Sequence, residues 1–199
     1  YANKGTLALA PLLKKINSGA VDTLVMFSVN PVYAAAGALD FAGALKKIKT
    51  VIHSGLYDDE TANAATWHLP QAHFLESWSD ARAYEGTASI VQPLIAPLHD
   101  GRSTIEILAQ TLNPAGADGF AEVKKTWFNS TFIADNEKAW RKSVHDGVVA
   151  KTQFETAAEA KLDAASIVQQ VKLIKSQQPS EVALEVLFNS DYSVLDGSL

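Results

Sequence analysis

Five histidines and no cysteine decide where chemistry is sought first. His68, His73 and Glu76 form the densest cluster of metal-ligating types. A zinc-binding helix places two histidines four apart so that both point the same way. His68 and His73 stand five apart with Pro70 between them, which reads as hydrogen-bonded structural histidines. Ser54, His53 and Asp58 supply the residue types of a nucleophile, a base and an orienting acid, but no Gly-x-Ser-x-Gly elbow accompanies them. Asp58, Asp59 and Glu60 fall where a helix opens, and acid there suits the helix dipole more simply than it suits proton transfer. Trp67, Trp78, Trp127 and Trp140 read as packing residues. The lack of cysteine excludes disulfides, thiolate metal ligation, iron–sulfur ligation and a cysteine nucleophile within the chain.

Neither Gly-x-Gly-x-x-Gly nor a Gly-Lys-Ser/Thr loop is present to cradle phosphate. Two short stretches remain, Ser28-Val29-Asn30-Pro31 and Ser54-Gly55-Leu56-Tyr57, each following an apolar run and preceding a helix start. Adjacent strand ends in a parallel sheet form a crevice where backbone amides, Asn30 and small residues meet a nucleotide. The same residue types also make ordinary turns, and the residues alone leave both readings open.

The elements that would position these stretches are legible in part. Leu9, Leu12, Leu13 and Ile16 make one helical face over residues 6–17, closed by Gly19. The apolar run 23–29 ends at Asn30-Pro31 and reads as a buried parallel strand. Asp40 caps a helix through Ile48, residues 50–53 form a second strand, and Asp58-Asp59-Glu60-Thr61 opens another helix. This α, β, α, β, α order predicts a Rossmann-like, doubly wound α/β fold with a mostly parallel sheet. Residues 67–97, rich in proline and aromatics, read as a long ordered loop with one short strand at 88–91. Ser103 and Glu106 form a capping box for a helix over 104–112. Helices follow at 120–128 and 136–146, residues 154–175 have mixed helix and strand character, and residues 181–188 alternate as a final strand. The expected organisation is an α/β cleft lobe over 1–113 and a helical extension with a terminal strand over 114–199, packed on the same domain.

Composition narrows the partners. The formal net charge is −5 and the Lys and Arg residues are scattered, with no basic stripe for nucleic acid. No apolar run approaches the ~20 residues that a membrane-spanning helix needs. A start at Tyr1 and a stop directly after a strand-like run read as cut ends, so the chain is expected to be an internal segment.

The run Leu24-Val-Met-Phe-Ser-Val-Asn-Pro31, Asp40-Phe41 at a helix start, Val51-Ile52, Asp59-Glu60-Thr61-Ala62 and His68-Leu69-Pro70 together resemble the cofactor-binding α/β region of molybdopterin oxidoreductases. Glu76 to Arg82, Ser89 to Pro97 and His145-Asp-Gly-Val148 resemble one branch, the large molybdopterin-like iron–sulfur subunit of alternative complex III. The resemblance implies a parent subunit in quinol-linked respiratory electron transfer, on the periplasmic side of a membrane, with haem and membrane subunits as partners. It implies molybdopterin guanine dinucleotide and iron–sulfur clusters in the parent family, whose metal ligand and cluster motif lie outside this segment. The positions matching the family's cofactor contacts are Ser28, Asn30, Pro31, Ser54, Glu60 and Thr61.

Two departures bear on the cofactor: Gly55 stands where many members carry an Asp, and Tyr84 to Gln92 replaces their Asn-x-Glu-Gly-Arg stretch. They favour a branch that keeps the fold without the pterin. The expectation is therefore a non-catalytic α/β segment with no cofactor of its own. The alternatives are a functional guanine-dinucleotide-binding lobe and an independent Rossmann-like nucleotide-binding protein.

Overall fold

The computed structural model describes residues 9–128, 130, 132–133, 137–156, 163–173 and 193. The chain divides into two compact units, Tyr1–Glu155 and Thr156–Leu199.

The first half of the larger unit is built from repeated helix-to-strand steps. Helix α1 (Leu9–Asn17) buries Leu13 and Ile16, then ends at Gly19, whose φ of +74° lets its N–H return to the Ile16 carbonyl at 3.0 Å. Strand β1 (Thr23–Phe27) follows, and Ser28 turns the chain with φ of +53° into the one-turn helix α2 (Pro31–Ala34). Asp40 caps α3 (Phe41–Leu45) by accepting from the Gly43 N–H at 3.1 Å, and α3 feeds β2 (Thr50–Gly55). Asp59 caps α4 (Glu60–Ala64) in the same way, accepting from Ala62 N–H at 2.8 Å, and α4 feeds β3 (Trp67–Pro70).

The strands form a parallel sheet in the order β1-β2-β3, with Met26 beside His53 and His53 beside His68. Leu13, Ile16, Met26, Phe41, Leu45 and Val51 make its core on the helix-covered face. Burying each such side chain contributes roughly 1.5–3 kcal/mol, so this one face suffices to hold helices that are too short to be stable alone.

The second half holds an antiparallel sheet, β4 (Ser79–Arg82), β5 (Ala88–Val91) and β6 (Val148–Val149), in that order. Helices α5 (Thr104–Leu112), α6 (Gly119–Phe128) and α7 (Glu137–Asp146) accompany it. Its core gathers Ala88, Ile90, Val123, Trp127, Trp140 and Val149. Trp127 stays satisfied there by donating its indole N–H to Asp80 Oδ2 at 2.6 Å. The capping box of Ser103 and Glu106 is formed as expected.

The α/β class and the open, Rossmann-like parallel arrangement agree with expectation. The stretch 67–97 does not form one long loop: it contributes β3 and β4 as well as the expected β5. Both additions are four residues long, and β3 ends at Pro70 while β4 is largely polar, so neither carries the apolar run or alternation that marks a strand. Of the mixed region at 154–175, Ala164–Leu173 is helix α8 in the smaller unit. The strand expected at 181–188 lies outside the described residues. No helix among the described residues is long and apolar enough to cross a membrane.

Candidate functional site

The carboxyl ends of the three parallel strands open into a crevice of about 370 Å³. Ser28, Val29 and Asn30 from the end of β1, His53, Gly55 and Tyr57 from β2, and Gln71 to Phe74 from the end of β3 line it. Two aromatic side chains stand at its mouth, with Tyr57 69% and Phe74 62% exposed.

A polar network ties these ends together. Asn30 donates from Nδ2 to Glu60 Oε2 at 2.7 Å, while its Oδ1 accepts from Thr61 Oγ1 at 2.7 Å and from the Tyr33 N–H at 3.4 Å. Thr61 Oγ1 in turn accepts from Val32 N–H at 3.1 Å. Asn30 therefore fastens α2 to α4, with its Oδ1 taking two donors and one N–H of its Nδ2 given to Glu60. The hydrogen bond from Asn30, followed by the backbone N–H of Glu60 itself, holds the Glu60 carboxyl below its ordinary range. Ser28 donates to Gln71 Oε1 at 2.7 Å, and Gln71 Nε2 donates to Thr104 Oγ1 at 3.3 Å. That chain of bonds runs from the end of β1 to the start of α5.

Beneath it lies a histidine pair. His53 is fully buried and donates from Nε2 to the Val29 carbonyl at 3.0 Å. A carbonyl can only accept, so Nδ1 of His53 is the acceptor for Nδ1–H of His68, 3.1 Å away. Ser54 is also fully buried, and its Oγ has no hydrogen-bond partner.

Of the six positions implied by the resemblance, Ser28 and Asn30 line the crevice. Pro31 is the first residue of α2, Ser54 is buried in β2, and Glu60 and Thr61 belong to α4 and are bonded to Asn30. His53 and Ser54 are neighbours on one strand and project to opposite faces, so they assemble no triad. Glu76 Oε2 accepts from the His73 N–H at 3.0 Å, closing a local turn. No group of three or more His, Cys, Asp or Glu among the described residues is placed to hold a metal ion. Gln71 and Phe74 were missed at the sequence level, and His73 was read only within the His68, His73 and Glu76 cluster; reading β3 as a strand would have placed all three, because its end is the third wall of the crevice.

The arrangement does not suit the diphosphate of a guanine dinucleotide. Among the described residues, no lysine or arginine lines the crevice. The two helices that start there are four and five residues long, and each is capped by its own side chain, Asn30 or Asp59. Each cap takes one first-turn amide, Tyr33 N–H or Ala62 N–H, that could otherwise receive phosphate, and a carboxylate stands beside them.

No family model and no curated protein matches the sequence. Among solved structures, the chain is similar to the acetylene hydratase from Pelobacter acetylenicus, with 18% identity and a TM-score of 0.44, over 51% of this chain and 15% of that one. This likeness is weak and partial, and the chain spans only a small part of that protein's length. The assignment to an iron–sulfur subunit is overturned for this chain: it has no cysteine, and its described residues contain no metal-binding group.

Proposed function

We propose that the chain is a non-catalytic α/β segment of a molybdopterin-family oxidoreductase subunit in quinol-linked respiratory electron transfer. The motif series from Leu24 to Leu112 supports the family. The network at Asn30 supports the non-catalytic role, and it is the observation that carries the reading: Asn30, Glu60 and Thr61 are bonded to one another and hold α2 against α4. The segment serves as a rigid lobe against which the other parts of the subunit are positioned. Haem and membrane subunits, and a periplasmic location, follow from the branch that the sequence resembles.

Calorimetric titration with GDP at millimolar concentration tests the non-catalytic role. The expected result is dilution heat alone. Saturable heat that disappears in Tyr57→Ala and Gln71→Ala would overturn it in favour of a guanine-nucleotide-binding lobe contacting Ser28 and Asn30. The electron-transfer part is tested by isolating the chromosomally tagged parent in mild detergent and recording its reduced-minus-oxidised spectrum. Haem bands are expected, and a haem-free isolate would refute that assignment.

A further inference from the structure

The first sheet repeats one step three times: α1 into β1, α3 into β2, α4 into β3. The helices follow the strand order, since α1 packs on α3 and α3 packs on α4. The ends of α1 and α3 are also pinned to each other, Lys47 Nζ donating to Asn17 Oδ1 at 2.7 Å. In this series α3 returns the chain from β1 to β2 and α4 returns it from β2 to β3. Helix α1 packs on α3 without comparable packing on α4, as a helix at the far end of that row would.

Crossovers between parallel strands are right-handed almost without exception, so return helices on one face advance the sheet in one direction. By that rule α1 occupies the place of the return helix for a strand on the outer side of β1. That side is open among the described residues. Ser28 N–H donates to the Ser54 carbonyl at 2.8 Å and the Asp22 carbonyl accepts from Thr50 N–H at 3.1 Å. Alternation along a parallel ladder then points Leu24 and Met26 toward β2, and leaves the N–H and C=O groups of Thr23, Val25 and Phe27 facing outward. The face of the sheet opposite the helices is open at one end, where Val25 is 45% exposed and Trp67 64% with Ile52 partly buried between them, and closed farther along, where Ser54 is buried. Parallel strands are ordinarily covered on both faces and paired on both edges.

We infer that the outer edge of β1 receives a strand of the parent subunit, running parallel to β1 and apolar on both of its faces. The inference rests on the reading above that the chain is a segment of a larger subunit. The incoming strand would pair with Thr23, Val25 and Phe27, lay one row of side chains under α1 beside Leu24, and continue the apolar surface of Val25 on the other face.

The test is amide hydrogen exchange by NMR on the ¹⁵N-labelled chain, with and without the peptide Ac-Thr-Leu-Val-Met-Phe-Ser-NH2, which copies residues 23–28 as a parallel-strand probe. In the free chain, the amides of Val25 and Phe27 exchange on the order of 100-fold faster than those of Leu24 and Met26. Adding the probe slows Val25 and Phe27 by about 10-fold, while the Gly55 and Gln71 resonances of the crevice stay in place. Val25→Pro and Thr23→Pro each remove an outward N–H at a position where an edge strand tolerates proline, and both abolish the slowing.

Outward amides already as protected as the inward ones would overturn the inference, and so would a probe that leaves them fast or slows them equally in both proline variants. Protection that rises with protein concentration in the absence of probe would show that a second copy covers the edge, and would overturn it as well. GDP binding at the crevice would refute the proposed function without touching any of these readouts.

Discussion

Gly55→Ala is the sharpest probe of how the crevice floor is built. A Cβ at residue 55 would lie 2.8 Å from Cε1 and 3.2 Å from Nε2 of His53. Carbon atoms prefer contact at roughly 3.5–4.0 Å, so the ring must retreat by most of an ångström. It has no free direction, because Nε2 is bonded to the Val29 carbonyl and Nδ1 to His68. Overpacking of this kind costs about 1–3 kcal/mol, offset in part by the ~0.4–1 kcal/mol that alanine contributes by restricting the unfolded chain. The net expectation is a loss of about 1–2 kcal/mol, or a fall in the urea midpoint of roughly 0.5–1 M at a slope near 2 kcal/mol/M.

The control is the same substitution in a His53→Ala background. That change is itself destabilising, since it opens a cavity and orphans the Val29 carbonyl, but it removes the clash. There Gly55→Ala should be neutral or slightly stabilising. Equal losses in the two backgrounds, or no loss in the parent, would refute the argument that His53 dictates glycine at position 55. An aspartate at position 55 would need the space that His53 fills, so the absence of a carboxylate there and the buried histidine are one packing solution.

Two further outcomes test one fastening beside the crevice and one in the antiparallel sheet. The Glu60 carboxyl is held below its ordinary range by Asn30, so its contribution is fully present above the unfolded glutamate pKa, ~4.3, and is lost as pH falls through the lower folded value. In Glu60→Gln the amide oxygen still accepts from Asn30, and the decline of Tm between pH 5 and 3 should be shallower than in the parent; an unchanged acid limb would remove Glu60 from the network's energetics. Thr152 is 2% exposed, and its Oγ1 accepts from Ala88 N–H and donates to the Val149 carbonyl, both at 2.8 Å. Thr152→Val should cost about 2–3 kcal/mol by leaving these buried groups unpaired, whereas Thr152→Ser should cost under about 1.5 kcal/mol; urea midpoints for the pair decide it.

The parts of the fold that were legible in the sequence share a physical cause. Helix α1, strand β1 and the α5 capping box each declare themselves within a few consecutive residues, through an apolar face, an apolar run stopped by Asn30-Pro31, or Ser103 three residues before Glu106. Strands β3 and β4 do not, because their stability is borrowed. Residues 67–70 are extended because the β2 backbone offers a ladder to them, and Ser79–Arg82 because β5 does. The crevice divides in the same way. Asn30, Glu60 and Thr61 were visible as polar residues at helix starts, but nothing local said that they would spend their hydrogen bonds on one another across about thirty residues of chain.

That distinction is what separates a binding site from a scaffold at a strand end. Position in a parallel sheet supplies the crevice in either case. Only the destination of each donor and acceptor tells whether a ligand has anything left to bind. At Asn30 the side-chain oxygen already takes two donors and one N–H of the amide nitrogen is bonded to a carboxylate, so a ligand that takes the oxygen or that N–H must break a bond that orders α2 against α4. The rim differs, because Tyr57 and Phe74 are largely exposed, Phe74 resting on the His73 ring, and neither enters the hydrogen-bond network at Asn30. Substitution at those two aromatics therefore separates loss of a ligand contact from loss of the scaffold, which substitution at Asn30 cannot do.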